Sequence, residues 1–353
     1  MTVVGEIELA RAYVECMACR EASCPLDDRL GVEGSASRGA ERLMCLASAD
    51  SSFETASMRL EELLGWTRCG NTLRTTCYRH AACMERFRES DPEAVQTFRH
   101  ETGDVEFETD GTCVNTTEGW KEMRLGIFCK RRRGEPAAPE AWDARTLPKP
   151  HARCAFAAME SSARFGRRWR PWARRLGILD TSILTTLGDG ARWIWEQQVQ
   201  QLRGSTGVLD VYHVFEHIEA AGKALFGEGT AAATEWIERS KHTLLSAAFR
   251  GIEQHLQTTH ARLRSPQKRQ RLQKLRNYLA PHADHLHYRE RLAEGRTIGS
   301  GLVEGGCKQI IGRRLKQTGA RWRRPNVNKM AILCCTAYSD HWQPYWDQPA
   351  HIP

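Results

Sequence analysis

The hydrophobic period of this chain changes twice, and those changes limit the folds open to it. From Ser37 to about Met84 apolar residues recur at helical spacing. Leu43, Leu46 and Ala47 make one stripe, and Phe53, Ala56, Leu60 and Leu63 a second. At Val105 the period drops to two: Val105, Phe107 and Thr109 alternate with Glu106, Glu108 and Asp110, which predicts a strand. From Val211 to about Arg291 the pattern is helical again with little interruption. Sheet and helix mixed in this order predict an α/β class.

Local signals place the elements. Ser51 or Ser52 caps a helix that Gly65 closes, and Thr72 opens the next, through Met84. Two helices joined by a tight glycine-containing turn read as a helix-turn-helix or as an ordinary helical hairpin. Arg68, Arg74, Arg79 and His80 beside the turn favour DNA. Residues 85–104 are polar and read as a linker. A second strand is expected over Trp120–Lys130, with Met123, Leu125 and Ile127 on one face, and a third over His151–Ala157. An Arg-rich helix follows through Arg175. A fourth strand, Ile178–Leu187, ends at Gly188-Asp189, a helix starts at Ala191, and a short fifth strand, Val208-Leu209, ends at Asp210. Helices are then expected over Leu302–Lys316 and Asn326–Tyr338.

The formal charge of +8 favours a polyanionic partner. No run of about 18 apolar residues occurs, so no membrane span is expected, and Glu6, Glu8 and Arg11 occupy positions where a secretion signal would be apolar. A cytoplasmic, nucleoid-associated protein is the expectation. Thirteen irregularly spaced cysteines fit reduced thiols better than a disulfide framework. Cys16, Cys19 and Cys24 make an incomplete zinc knuckle: the site wants four ligands, and the second pair is missing.

Three segments set a carboxylate beside glycine: Phe107-Glu108-Thr109-Asp110-Gly111-Thr112, Leu187-Gly188-Asp189-Gly190-Ala191 and Gly299-Ser300-Gly301-Leu302-Val303-Glu304-Gly305. The first two are expected at strand ends and the third at the head of a helix. Taken singly, each Asp-Gly is an ordinary turn dipeptide and Glu304 an ordinary solvated residue. Taken together, Asp110, Asp189 and Glu304 could hold a pair of Mg²⁺ or Mn²⁺ ions, hard cations that prefer oxygen. Helical spacing puts Glu304 at the edge of the stripe Val303, Cys307, Ile310, half-buried toward the sheet.

These segments, with Ser52-Phe53-Glu54-Thr55-Ala56, the Gly34-Ser35-Ala36-Ser37 opening, Trp120-Lys121-Glu122, Arg192-Trp193-Ile194-Trp195 and Leu209-Asp210-Val211-Tyr212-His213, resemble the DDE transposases of bacterial insertion sequences in the Mutator-like group. The likeness runs from about Leu30 to Trp346. It implies an RNase H-like core, an all-helical insertion in the 115-residue gap from Asp189 to Glu304, and Asp110, Asp189 and Glu304 as the metal-binding triad. In that group an Asp-x-x-His pair follows the second metal aspartate. Asp210 and His213 match it and are expected to assist catalysis by positioning a flipped base or the scissile phosphate. The plainer reading makes Asp210 a helix cap. Asp210 could also replace Asp189 as a ligand; Asp189 is preferred because it follows the longer apolar strand.

His213-Val214-Phe215-Glu216-His217 also spells H-x-x-E-H, a zinc-protease signature, in a chain whose charge does not suit that role. Arginines interleave with indoles at Arg168-Trp169-Arg170 and Arg321-Trp322-Arg323, as a phosphate- and base-contacting surface would. Lys308, Arg313 and Arg314, on the helix of Glu304, are expected to grip the scissile strand.

The expected organisation is an N-terminal segment 1–35, a helical DNA-binding region 36–100, the first part of an RNase H-like core 101–210, a helical insertion 211–298, and the last core helix with a basic tail 299–353. The expected activity is two-metal nicking at insertion-sequence ends and strand transfer to target DNA, by a homodimer or larger homo-oligomer. The alternative is a non-catalytic DNA-binding protein derived from such an enzyme.

Overall fold

The computed structural model describes residues 1–30, 32–33, 36–179 and 183–348, with the backbone alone for Asp28, Val32 and Glu33. Gly34, Ser35 and residues 180–182 of the expected fourth strand therefore lie outside the described residues.

After a short helical turn at Pro25–Leu30 come four longer helices: α1 (Arg38–Ser48), α2 (Phe53–Leu64), α3 (Gly70–Ser90) and α4 (Glu93–His100). Ser52 caps α2 by accepting from Thr55 N at 3.0 Å, and Gly65 ends it at φ 67°, a left-handed turn that glycine enters without penalty. The expected linker is a correction. Residues up to Ser90 belong to α3 and Glu93–His100 to α4, because Phe87, Val95 and Phe98 give this polar stretch a buried stripe.

The sheet comprises β1 (Asp104–Thr116), β2 (Gly119–Arg131), β3 (Ala152–Ala158), β4 (Leu184–Gly188) and β5 (Thr206–Leu209). Its order is β3-β2-β1-β4-β5. β1 runs antiparallel to β2 and parallel to β4, and β5 is parallel to β4, so β2 alone is reversed. Asp110-Gly111 does not end the first strand. It lies mid-strand opposite Leu125 and Arg124, and the hairpin turns only at Thr117-Glu118.

Between β3 and β4 lie α5 (Ser162–Gly166) and α6 (Trp169–Arg175), and between β4 and β5 lies α7 (Arg192–Gln201). After β5 come α8 (Val211–Phe226), α9 (Ala231–Arg262), α10 (Pro266–Leu279) and α11 (Tyr288–Ala293). Then α12 (Gly301–Gly306) continues through a π-helical turn, Cys307–Gly312, and α13 (Arg324–Tyr338) and α14 (Trp342–Asp347) follow.

Both faces of the sheet are covered, as a sheet with parallel strands requires. Phe107, Phe128 and Phe156 face α5–α11. Met123, Leu125, Ile127 and Ala155 face α1–α3 and α12–α14. The helices before and after the sheet thus share one core. A buried bridge ties them: His80 on α3 meets Glu41 Oε2 on α1 at 2.8 Å and Tyr345 Oη on α14 at 2.7 Å. Among the described residues no helix is long and apolar enough to cross a membrane.

Candidate functional site

Alternation along β1 puts Glu106, Glu108 and Asp110 on the face that meets α12. β4 pairs with β1 only from Val105 to Glu108, so Asp110 stands just past the end of β4. Asp189 follows β4 and Asp210 follows β5, with Asp210 N donating to Gly188 O at 2.9 Å. Three aspartates from three neighbouring parallel strands therefore gather at one end of the sheet, where open α/β sheets present their ligand crevices.

Asp110 and Asp189 interact. The Asp110 carboxyl is held above its usual range first by burial and then, against the donor Gly111 N, by the charge of Asp189. Asp189 Oδ1 accepts from Ala191 N at 2.9 Å and its carbonyl from Trp195 Nε1 at 3.1 Å, which fixes it at the head of α7. His213 brings a positive charge to this pair. Asp210 raises it to about 9, over the opposing effect of burial, and Asp189 adds to the rise. Its Nδ1 lies 3.7 Å from Asp210 Oδ2, an ion-pair rather than hydrogen-bond distance.

Asp210 is committed on both oxygens. Oδ1 caps α8, accepting from Tyr212 N at 2.7 Å, while Oδ2 accepts from Ser300 N at 2.8 Å and from the Ser300 hydroxyl. Burial works to raise its pKa, but His213, Ser300 and Tyr212 outweigh it and hold the carboxylate below its usual range. Asp210 thus latches the end of β5 to the head of α12, a second use beyond helix capping.

Two residues of this region escaped the sequence reading. Glu108 is wholly buried, with Oε2 accepting from Val303 N at 2.9 Å and Oε1 shut from solvent without a partner. Burial, with the charge of Glu106, pushes its pKa up to about 8. Ser300 is the other, with its backbone and hydroxyl both turned on Asp210. The repeated acids of β1 were the available signal for Glu108. Ser300 carried none beyond its place before a helix.

Glu304 is not half-buried toward the sheet. Its side chain is 63% exposed and pairs with Lys308 Nζ at 2.6 Å. The reason is Gly306: a Cβ there would stand 2.6 Å from Ile127 Cδ1, so the glycine lets α12 lie directly on β2. Val303 and Gly306 take the sheet face, and at 100° per residue Glu304 is turned well away from it. Cys307 stands between, its Sγ 4.0 Å from Asp110 Oδ2. Among the described residues no three His, Cys, Asp or Glu side chains converge to hold one metal ion. That holds for the H-x-x-E-H segment too, where His217 stacks on Tyr278 with ring centroids 3.8 Å apart.

The basic residues divide. Trp169 is fully enclosed against Phe107 and offers no face to a base. Trp322 is buried, its Nε1 donating to Leu315 O at 3.1 Å. Arg314 is also buried, donating to Ser48 O at 2.8 Å and lying over the rings of Phe53 and Trp322. His80 is buried in its bridge. These four were expected at a DNA surface and are instead structural: Trp169 packs on the Phe107 face of the sheet, and the other three lie where α1–α3 and the chain after α12 pack on each other. Arg168 is half-buried and bidentate to Glu160, at 2.8 and 3.0 Å, and Arg68 pairs with Glu6 at 3.2 Å. Arg170 and Arg313 are exposed.

Arg74, Arg321 and Arg323 remain exposed, on the rim of a groove of about 1130 Å³ that Tyr78, Lys329 and Trp322 also line. β1 joins this groove to the acidic end of the sheet. Beyond Asp110, Thr112 Oγ1 accepts from Lys316 Nζ, and Asn115 Nδ2 donates to Ala320 O at 3.3 Å at the groove wall.

No protein-family model matches this chain, and no curated protein matches it.

Proposed function

We propose that the protein cuts and joins DNA as a transposase with an RNase H-like core. The observation that carries the reading is the placement of Asp110 and Asp189 at one end of the sheet, Asp110 on β1 just past the end of β4 and Asp189 directly after β4. The sheet order, with β2 alone reversed, is the one such a core would have, and the arginine-rimmed groove between α2, α3 and the segment before α13 suits a phosphate backbone.

The residues fit a hard divalent cation in part. A carboxylate raised by a neighbouring carboxylate is relieved when a cation sits between them. Asp110 and Asp189 would hold Mg²⁺ or Mn²⁺, and Glu304 would join them by turning off Lys308, a motion open to an exposed side chain. Bound there, the two metal ions would supply Lewis-acid stabilisation of the scissile phosphate and an activated water or 3′-hydroxyl. His213, protonated at neutral pH, would draw a non-bridging phosphate oxygen toward the aspartates. Asp210 would hold His213 and α12 in place.

The test is incubation of the purified protein with duplex DNA carrying the sequences that flank its gene, with Mg²⁺ or Mn²⁺. Nicking is expected for wild type and not for Asp110→Asn, Asp189→Asn or Glu304→Gln, each of which should still bind DNA. Binding without nicking by wild type would sink the enzyme reading. It would favour the non-catalytic one, for which the Glu304–Lys308 ion pair already speaks.

A further inference from the structure

Residues 14–23 form a hairpin that neither the sheet nor the groove uses. Val14–Glu15 pairs antiparallel with Ala22–Ser23, Val14 opposite Ser23 and Glu15 opposite Ala22. The turn between them is Cys16-Met17-Ala18-Cys19-Arg20-Glu21. Cys16 N donates to Glu21 O at 2.8 Å and Arg20 N to Cys16 O at 2.9 Å. Arg20 sits at φ 62°, a left-handed conformation that a residue with a side chain adopts at a cost. The effect is to close the C-x-x-C segment into a tight turn at the end of the hairpin. The backbone N–H groups of Cys19 and Ala18, with the Cys19 thiol, hold the Cys16 thiol below its usual range. Both cysteines are free and exposed, so they contribute nothing to a core.

Two exposed thiols on one C-x-x-C turn form a pair of zinc ligands. Zinc in a structural site wants four. Cys24 is buried, and Glu21 Oε2 comes within 3.8 Å of Cys19 Sγ, but among the described residues no three such side chains are placed to hold a metal ion together. The same hairpin leaves Tyr13 and Met17 exposed at 77% and 84%, with Val14 open beside them. Exposed apolar side chains on and beside a hairpin, next to an incomplete ligand set, are suited to a joint between like surfaces.

We propose that Cys16 and Cys19 are half of a four-thiolate zinc site whose other half is the same pair on a second copy of this chain, with Tyr13, Val14 and Met17 packing across the joint. On binding, each thiol gives its proton to solvent and zinc takes four sulfurs. The proposal does not depend on the DNA chemistry above, and no readout of its test involves cleavage.

The test is metal content and mass in solution. The full chain, untagged and passed through a chelator-free column after equilibration with zinc, should carry one zinc per two chains and run at dimer mass. Cys16→Ser and Cys19→Ser, each checked for an unchanged circular dichroism spectrum, should lose that zinc and run as monomers. A chelator should convert wild type to monomer, and zinc should restore the dimer. Cobalt in place of zinc should give the absorption of a tetrahedral four-sulfur site. Absence of bound zinc, one zinc per monomeric chain, a dimer indifferent to chelator, or a Cys16–Cys19 disulfide in place of metal would each overturn it.

Discussion

Glu108 Oε2 and Val303 N meet at 2.9 Å, so a side chain from the middle of β1 closes the first turn of α12, the helix that bears Glu304. The carboxyl that does this is buried and its pKa is pushed up to about 8, so the neutral form prevails at physiological pH. A folded pKa raised above the unfolded one means the native state binds the extra proton between them. Stability from this group is full below about pH 4.5 and falls as pH rises through about 8. Glu108→Gln, neutral throughout, should remove that decline: the melting temperature of wild type should drop between pH 6 and 9 by more than that of the variant, measured by calorimetry. Parallel pH curves would contradict it.

His213 gives a second pH signature. Its pKa is raised to about 9 by Asp210, so its contribution is fully present below the ordinary histidine range and is lost as pH rises through about 9. The side chain is 45% exposed, so solvent screens much of the gain, and a stability change under about 1 kcal/mol is expected for His213→Gln. The direct measurement is the imidazole NMR titration. A midpoint near 9 in wild type should move toward 6.5 in Asp210→Asn. An unmoved midpoint would show that the pairing at 3.7 Å does not govern the charge.

Asp110→Asn should separate folding from chemistry. Removing a carboxylate that burial and Asp189 both disfavour should leave the melting temperature equal to wild type or higher. Magnesium or manganese should raise the wild-type melting temperature and fail to raise that of the variant. Nicking should fall by at least about 100-fold, as removal of a metal ligand costs several kcal/mol of transition-state stabilisation.

The groove predicts a salt signature. Arg321 and Arg323 are exposed on its rim, so Arg321→Gln and Arg323→Gln should weaken binding to any duplex and each lower the slope of log affinity against log salt by about 1. Arg170→Gln, outside the groove, should change neither. Equal effects from all three would place the DNA elsewhere.

Period and capping made most of the elements legible. Ser52 and Gly65 bound α2 as their chemistry requires, and the five strands lie near their expected positions, with residues 180–182 outside the description. Pairing was less legible. Asp110-Gly111 has the composition of a turn but lies inside β1, because β2 supplies partners as far as Gly119 and cross-strand bonding outweighs local preference. Residues 85–104 looked polar because the buried stripe of α4 is narrow. The arrangement of the candidate site was half legible. Asp110, Asp189 and Asp210 come to one sheet end because strand ends converge by topology. The facing of Glu304 depended on Gly306, whose role is to lack a side chain, and no apolar count registers an absence. Trp169, Trp322 and Arg314 misled for a related reason: an Arg-Trp alternation has the same composition whether it faces a phosphate or lines a core.

The bridge from Glu41 through His80 to Tyr345 joins helices made early in synthesis to one made 265 residues after His80. While the chain is still emerging from the ribosome, α1 and α3 lack the partner that closes their core, and they must wait with His80 unsatisfied until Tyr345 and Trp346 arrive. The helices that wall the basic groove on one side therefore gain their full support only when a segment far along the chain has folded against them.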